Sequence, residues 1–238
     1  METGLYVLVS GQLALQRRLD TIANNVANSA TSGFRAENVT FESILSRQAI
    51  AYSSKGGTTF SMSAGGLVQT DNPLDIAIQG DGFFAISTPG GTVYTRDGRL
   101  SVSPTGEVQT LGGHALLDTS GSPLQVSPEL GPVMVAPNGV ISQNSKPIGT
   151  IGLFKLPAGA QLVRGSGAGL VSNLPAEQII DFTENNIKQG YVENANVNPV
   201  REMTRLVAVS RAFEALSSSL DQSDRKLDEA IRGLGGSR

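Results

Sequence analysis

The residues that could do chemistry are few. His114 is the only histidine and there is no cysteine, so a thiolate metal site and a Cys-His pair are excluded, and a Ser-His-Asp triad would have to use this one imidazole. His114 stands in GGHALL, beside a turn, where a structural or surface role is expected. QGDGF (79–83) resembles a Gly-rich phosphate loop, but no helix follows to supply an N-terminal anion site and no GK[ST] appears; the motif reads as a hairpin turn, and GSGAG (165–169) as a flexible turn. Asp71, Asp75, Asp81 and Asp97 are close enough in sequence to suggest an acid and base pair, yet their Asn, Pro and Gly neighbours make them turn formers. No catalytic residue, cofactor site or metal site is therefore expected, and the chain is not expected to be an enzyme.

A different chemistry is hinted at by LDTIANNVANSATSGFRA (19–36). Asn24, Asn25 and Asn28 form a polar strip beside apolar residues of a helix. Asparagine is a poor helix former and a good cap, so the strip reads either as punctuation ahead of Gly33 or as amides that pair with backbone or side chains of adjacent helices and fix their register.

The elements that must position these groups follow from the spacing of apolar and turn residues. Leu5, Leu8, Leu15, Leu19, Ile22 and Val26 recur at three and four residues, with Gln12 in the one vacant position. Leu206, Val209, Phe213, Leu216, Leu220, Ser223, Leu227 and Ala230 keep the same spacing, supported by Asp221 with Arg225 and Asp228 with Arg232 at i,i+4. A helix from 200 to 233 would be on the order of 50 Å long at ~1.5 Å per residue. Between these ends, from Gly56 to about Leu174, Gly and Pro recur every few residues and separate short runs such as LDIAI, GFFAIS, TVYT and TIGLFKL. That pattern predicts antiparallel strands. The expected fold is α+β: long N- and C-terminal helices (1–35 and 198–238) forming a coiled-coil pair, connecting segments at 36–65 and 175–197, and a central antiparallel, turn-rich β domain at 66–174.

Composition narrows the partners. The chain has 238 residues, 18 Lys and Arg against 21 Asp and Glu, and a net charge of -3. Nucleic acid and direct membrane insertion are not expected. The N-terminus has no basic n-region, so a cleavable secretory signal is not expected either. Two long apolar seams exceed what the β domain can cover and point to assembly with other chains.

LDTIANNVANSATSGFRAENVTFESIL resembles the N-terminal motif of the flagellar axial proteins, the rod and hook family. NPLDIAIQGDGFFAI with YTRDGRLSVSPTGEV resembles their central segment, and QGYVENANVNPVREMTRLVAVSRAFEALSSSLDQSDRKLDEAI their C-terminal helix. Chain length and NVNPVREM fit the proximal branch of the rod rather than the longer distal one. The resemblance implies a structural component of the bacterial basal body in the periplasm, exported by the flagellar type III apparatus without signal cleavage. Its partners would be copies of itself and neighbouring rod proteins. The interface implied comprises Leu5, Leu8, Leu15, Leu19, Ile22, Asn24, Asn25, Val26, Asn28 and Phe34 at one end. At the other it comprises Met203, Leu206, Val209, Phe213, Leu216, Leu220 and Leu227. The reading from another class is a secreted β-rich binding module of lectin type, which leaves both helices unexplained.

Overall fold

The computed structural model describes residues 2–40, 43–45, 51–53 and 57–235; side chains are described at 7–40, 57–222, 225, 229 and 232. The chain divides into two compact units. One comprises Met1–Ala27, Glu37–Thr59 and Asn198–Arg238, and the other Asn28–Ala36 and Phe60–Val197.

The first unit is built on two helices, α1 (Glu2–Ala27) and α2 (Pro199–Gly235). The start of α2 is written in NPVRE. The Asn198 side-chain oxygen accepts from the Arg201 backbone N–H at 3.0 Å, Pro199 takes the first helical position where its missing N–H costs nothing, and Glu202 stands in the positive first turn. α1 ends at Ala27, six residues ahead of the glycine that the sequence suggests as its stop. The helices touch where Gln12, at the vacant seam position, donates to Ser217 Oγ at 3.2 Å. A methyl added at Gly11 would lie 3.4 Å from Leu216 Cδ2.

The second unit is antiparallel β. Its largest sheet has nine strands, with Phe83–Thr88 at its centre between Gly91–Thr95 and Ala115–Leu116, and Leu153–Lys155 paired to its first residues. Smaller sheets pair Asn186–Gln189 with Ile76–Gln79, and Tyr191–Glu193 with Leu67–Gln69. The central strand is buried on both faces. Phe84 enters the main core with Ile76, Ile86, Leu116, Ile151 and Leu153, while Phe83 points to a smaller cluster with Phe60 and Leu170. Burying each such side chain contributes about 1.5–3 kcal/mol.

QGDGF is a turn but not the expected hairpin, because the strands it joins enter different sheets: Ile76–Gln79 pairs with Asn186–Gln189, and Phe83–Thr88 with Gly91–Thr95. Gly80 has φ +105°, and a Cβ there would collide with the Asn185 side chain. His114 lies where the strands Val108–Thr110 and Ala115–Leu116 meet, its carbonyl accepting from the Thr110 N–H at 2.9 Å. The carboxylates serve local structure. Asp75 accepts from Thr70 Oγ1 at 2.8 Å and Asn72 Nδ2 at 3.1 Å, Asp97 pairs with Arg99 at 2.7 Å, and Asp71 accepts from Gln69 Nε2 at 2.6 Å.

Candidate assembly surfaces and the Arg35–Glu193–Arg96 cluster

In the helical unit the seams are only partly covered. Ile22 and Val209 are buried, as are Asn25 and Glu202, whereas Leu8, Leu15, Leu19, Val26, Leu206, Phe213, Leu216 and Leu220 stay half-buried. A helix pair shields one side of each stripe and leaves the flanks to water. Leu5 and Leu227 have helical backbones, but their side chains lie outside the described residues, as do those of Ser223 and Ala230. Met203 is 53% exposed, and Val200 and Val207, which the seam spacing does not select, are 73% and 51% exposed.

The amides resolve individually. Asn25, 2% exposed, accepts from the Glu37 N–H at 2.9 Å and donates to the Glu37 carbonyl at 2.8 Å. One side chain thus pairs both backbone groups of a residue as a neighbouring strand would, which fixes Glu37–Thr40 beside α1. Expected to pair with an adjacent helix, Asn25 is spent inside its own chain, because a side-chain amide matches the donor and acceptor spacing of a peptide. Asn24 reaches Glu37 Oε2 at 3.4 Å from an exposed position. Asn28 is punctuation: its side-chain oxygen accepts from Thr31 Oγ1 at 3.3 Å and its carbonyl from the Thr31 N–H at 3.0 Å.

Asn25→Leu should remove both bonds to the Glu37 backbone, at a cost of about 1–3 kcal/mol each. The expected result is a thermal midpoint lower than that of Asn24→Leu, measured on the two purified variants; equal midpoints would contradict the role given to Asn25.

Phe34 is also spent internally. Placed in a subunit interface by the sequence reading, it is 2% exposed, and the Arg164 guanidinium stands 4.3 Å from its ring centroid and 4.7 Å from that of Phe60. Beside it is a buried ionic cluster. Glu193, fully buried, accepts from Arg35 Nη2 at 2.7 Å through Oε1 and from Arg96 Nη1 at 3.0 Å through Oε2. The Gly65 N–H donates to the same Oε1 at 2.7 Å. Arg96 also donates to the Gly80 carbonyl at 2.8 Å, and Arg164 to the Arg35 carbonyl at 2.8 Å. Burial pulls the Arg96 guanidinium below its ordinary pKa and Arg35 adds to this, while Glu193 pulls the other way.

The backbone is fitted to the cluster. Gly33 has φ +68°, its N–H donates to the Glu193 carbonyl at 2.7 Å, and a Cβ there would collide with the Arg96–Asp97 backbone. Asn196 accepts from the Ala36 N–H at 2.7 Å and donates to the Ser61 and Ser63 carbonyls at 3.0 and 2.7 Å. The segments at 33–36, 61–65, 96–97 and 193–196 are thereby tied together. The sequence reading missed this site; its one signal is charged residues inside otherwise apolar or small-residue stretches, GFRA and YVENA.

Among the described residues no group of three or more His, Cys, Asp or Glu is placed to hold a metal, and no helix is long and apolar enough to cross a membrane. What the chain presents is helical seams and an internally locked β unit, the features of a structural, assembly-forming protein. Three family models match it: flagella basal body rod protein over residues 5–35, the flagellar hook protein FlgE/F/G D1 domain over 77–143, and the flagellar basal body rod FlgEFG protein C-terminal region over 188–232. Arg35, Arg96 and Glu193 fall one in each. Along 99% of both chains the sequence is 46% identical to the flagellar basal-body rod protein FlgF of Mesorhizobium japonicum. It is 39% identical to FlgF of Rhizobium meliloti along the whole of both. A rod protein FlgG, that of Bacillus subtilis, is 30% identical over 97% of this chain and 98% of its own.

The chain belongs to the flagellar basal-body rod family. It is an FlgF-like structural component of the rod, and not an enzyme.

Proposed function

We propose that this chain forms part of the proximal rod, where α1 and α2 pair as a coiled coil and pack against copies of themselves and neighbouring rod proteins. The assembled helices form the wall of a hollow shaft that transmits torque and continues the export channel. The observation that carries this reading is the half-exposed seam: Leu206, Phe213, Leu216 and Leu220 keep the three-four spacing along α2 and remain partly open to solvent. A stripe of that length invites burial against another chain. A hollow shaft needs heterologous contacts, one face meeting a different face, because self-complementary contacts close into dimers. The likeness to FlgF-named proteins over the full length supports the proximal position. In this reading the chain lies in the periplasm and reaches it through the flagellar type III apparatus without signal cleavage. Labelling the chain in isolated basal bodies is the test. The label is expected on the membrane-proximal part of the rod; a label confined to the distal rod or absent from the rod would refute the assignment.

A further inference from the structure

The two most exposed large apolar side chains among the described residues are Ile180, 83%, and Val200, 73%. Each stands in a setting of opposite charge. Ile180 borders an open groove of about 560 Å³ in the β unit, together with Ile179, Asp81, Asp181, Glu184 and Lys155. Three carboxylates against one ammonium leave that groove with an excess of two negative charges. The Asp181 carboxylate accepts from the Thr183 N–H at 2.8 Å and from Thr183 Oγ1 at 2.5 Å, and these bonds favour its ionised form.

Val200 begins a ridge on α2. At about 3.6 residues per turn, Val200, Val207 and Arg211 fall on one side of the helix, flanked by Met203, while the buried Glu202 and Val209 fall on the opposite side. The ridge is therefore a second face, distinct from the seam that meets α1. Its charge is net positive by one: Glu202 is paired with Arg205 at 2.6 Å, which leaves the exposed Arg201 and Arg211 against Glu214, and the positive end of the helix dipole lies here. Glu214 follows about one turn beyond Arg211.

We propose that the occupant of the Ile180 groove is the Val200–Val207 ridge of a second copy of this chain, with Arg211 meeting Asp181 and Glu184. Charge selects it: an apolar ridge with a net positive charge fits an apolar knob ringed by two excess anions, whereas groove on groove would oppose like charges. The contact is heterologous, so it builds rings or filaments instead of closed dimers. It rests on the rod assignment above and specifies where one subunit grips the next outside the helical seam.

The absence of native cysteine makes a direct test possible. Two full-length copies are expressed together in flagellated cells, one carrying Val207→Cys and the other Ile180→Cys, and basal bodies are oxidised and isolated. A disulfide-linked pair is expected at several times the yield of Val207→Cys with Leu111→Cys, Leu111 being an exposed residue elsewhere on the β unit at 64%. In parallel, Arg211→Glu should reduce swimming, and Glu184→Arg in the same chain should restore it. Rods that contain both cysteine variants without a cross-link above the control, and a charge reversal that is not rescued, would overturn the contact while leaving the rod assignment intact. Absence of the wild-type chain from the rod would overturn both.

Discussion

Glu193→Ala should lower the thermal unfolding midpoint of the purified chain by on the order of 10 °C. Among the described residues the carboxylate is the only acid bonded to two guanidinium groups, those of Arg35 and Arg96, which are 1% and 3% exposed. Removing one member of a buried ion cluster costs about 3–5 kcal/mol, because the remaining charges stay desolvated without a counterion, and each kcal/mol shifts the midpoint of a chain this size by about 2–4 °C. The cluster has little reserve: Arg35 Nε and Nη1 and Arg96 Nε have no hydrogen-bond acceptor among the described residues. Glu193→Gln keeps the shape and one acceptor oxygen and should fall between wild type and Ala. Calorimetry of the three proteins decides it. A Glu193→Ala midpoint within 2 °C of wild type, a shift of under about 1 kcal/mol, would mean that the arginines find other partners and that the cluster is not what ties the four segments together.

Phe213→Asp should abolish incorporation into the rod while leaving the β unit folded. Phe213 is half-buried on α2, on the side of the seam rather than of the exposed ridge. An aromatic ring there has apolar area left for a second chain, whereas a carboxylate would be desolvated in an apolar contact. The β unit takes no residue from α2, so its unfolding transition should persist. Swimming on soft agar and recovery of the chain in isolated basal bodies are the readouts. Normal swimming with wild-type recovery would remove the helical seam from the account of assembly.

The helices were legible because three-four apolar spacing without Gly or Pro has few alternative readings. The strands were legible because Gln79-Gly80-Asp81-Gly82 and Asp97-Gly98 break the chain where it turns. The Arg35–Glu193–Arg96 cluster was not: Arg35 and Glu193 are 158 residues apart, and Arg96 and Glu193 are 97 apart. A lone charged residue reads as solvent-facing unless its partner is known. Asn25 lies between these cases. Its presence in an apolar helix marked it as a residue with a task, but the sequence could not show that the task was to pair with the backbone of Glu37, twelve residues on. Nor does composition reveal that GFRA belongs with the β unit while the residues on either side of Asn28–Ala36 belong with the helices.

That interleaving bears on time as well as space. The chain passes between the two units four times, the last time at Val197–Asn198. Arg35 and Arg96 are made early and wait for a carboxylate that arrives after four-fifths of the chain. The entropy of closing so long a loop is recovered only when Glu193 is present and desolvated between them. The cluster is therefore completed only by a residue near the end of the chain, just ahead of α2, the helix that offers the second seam. Completion of the fold and competence to join a neighbour are set by the same late stretch of chain.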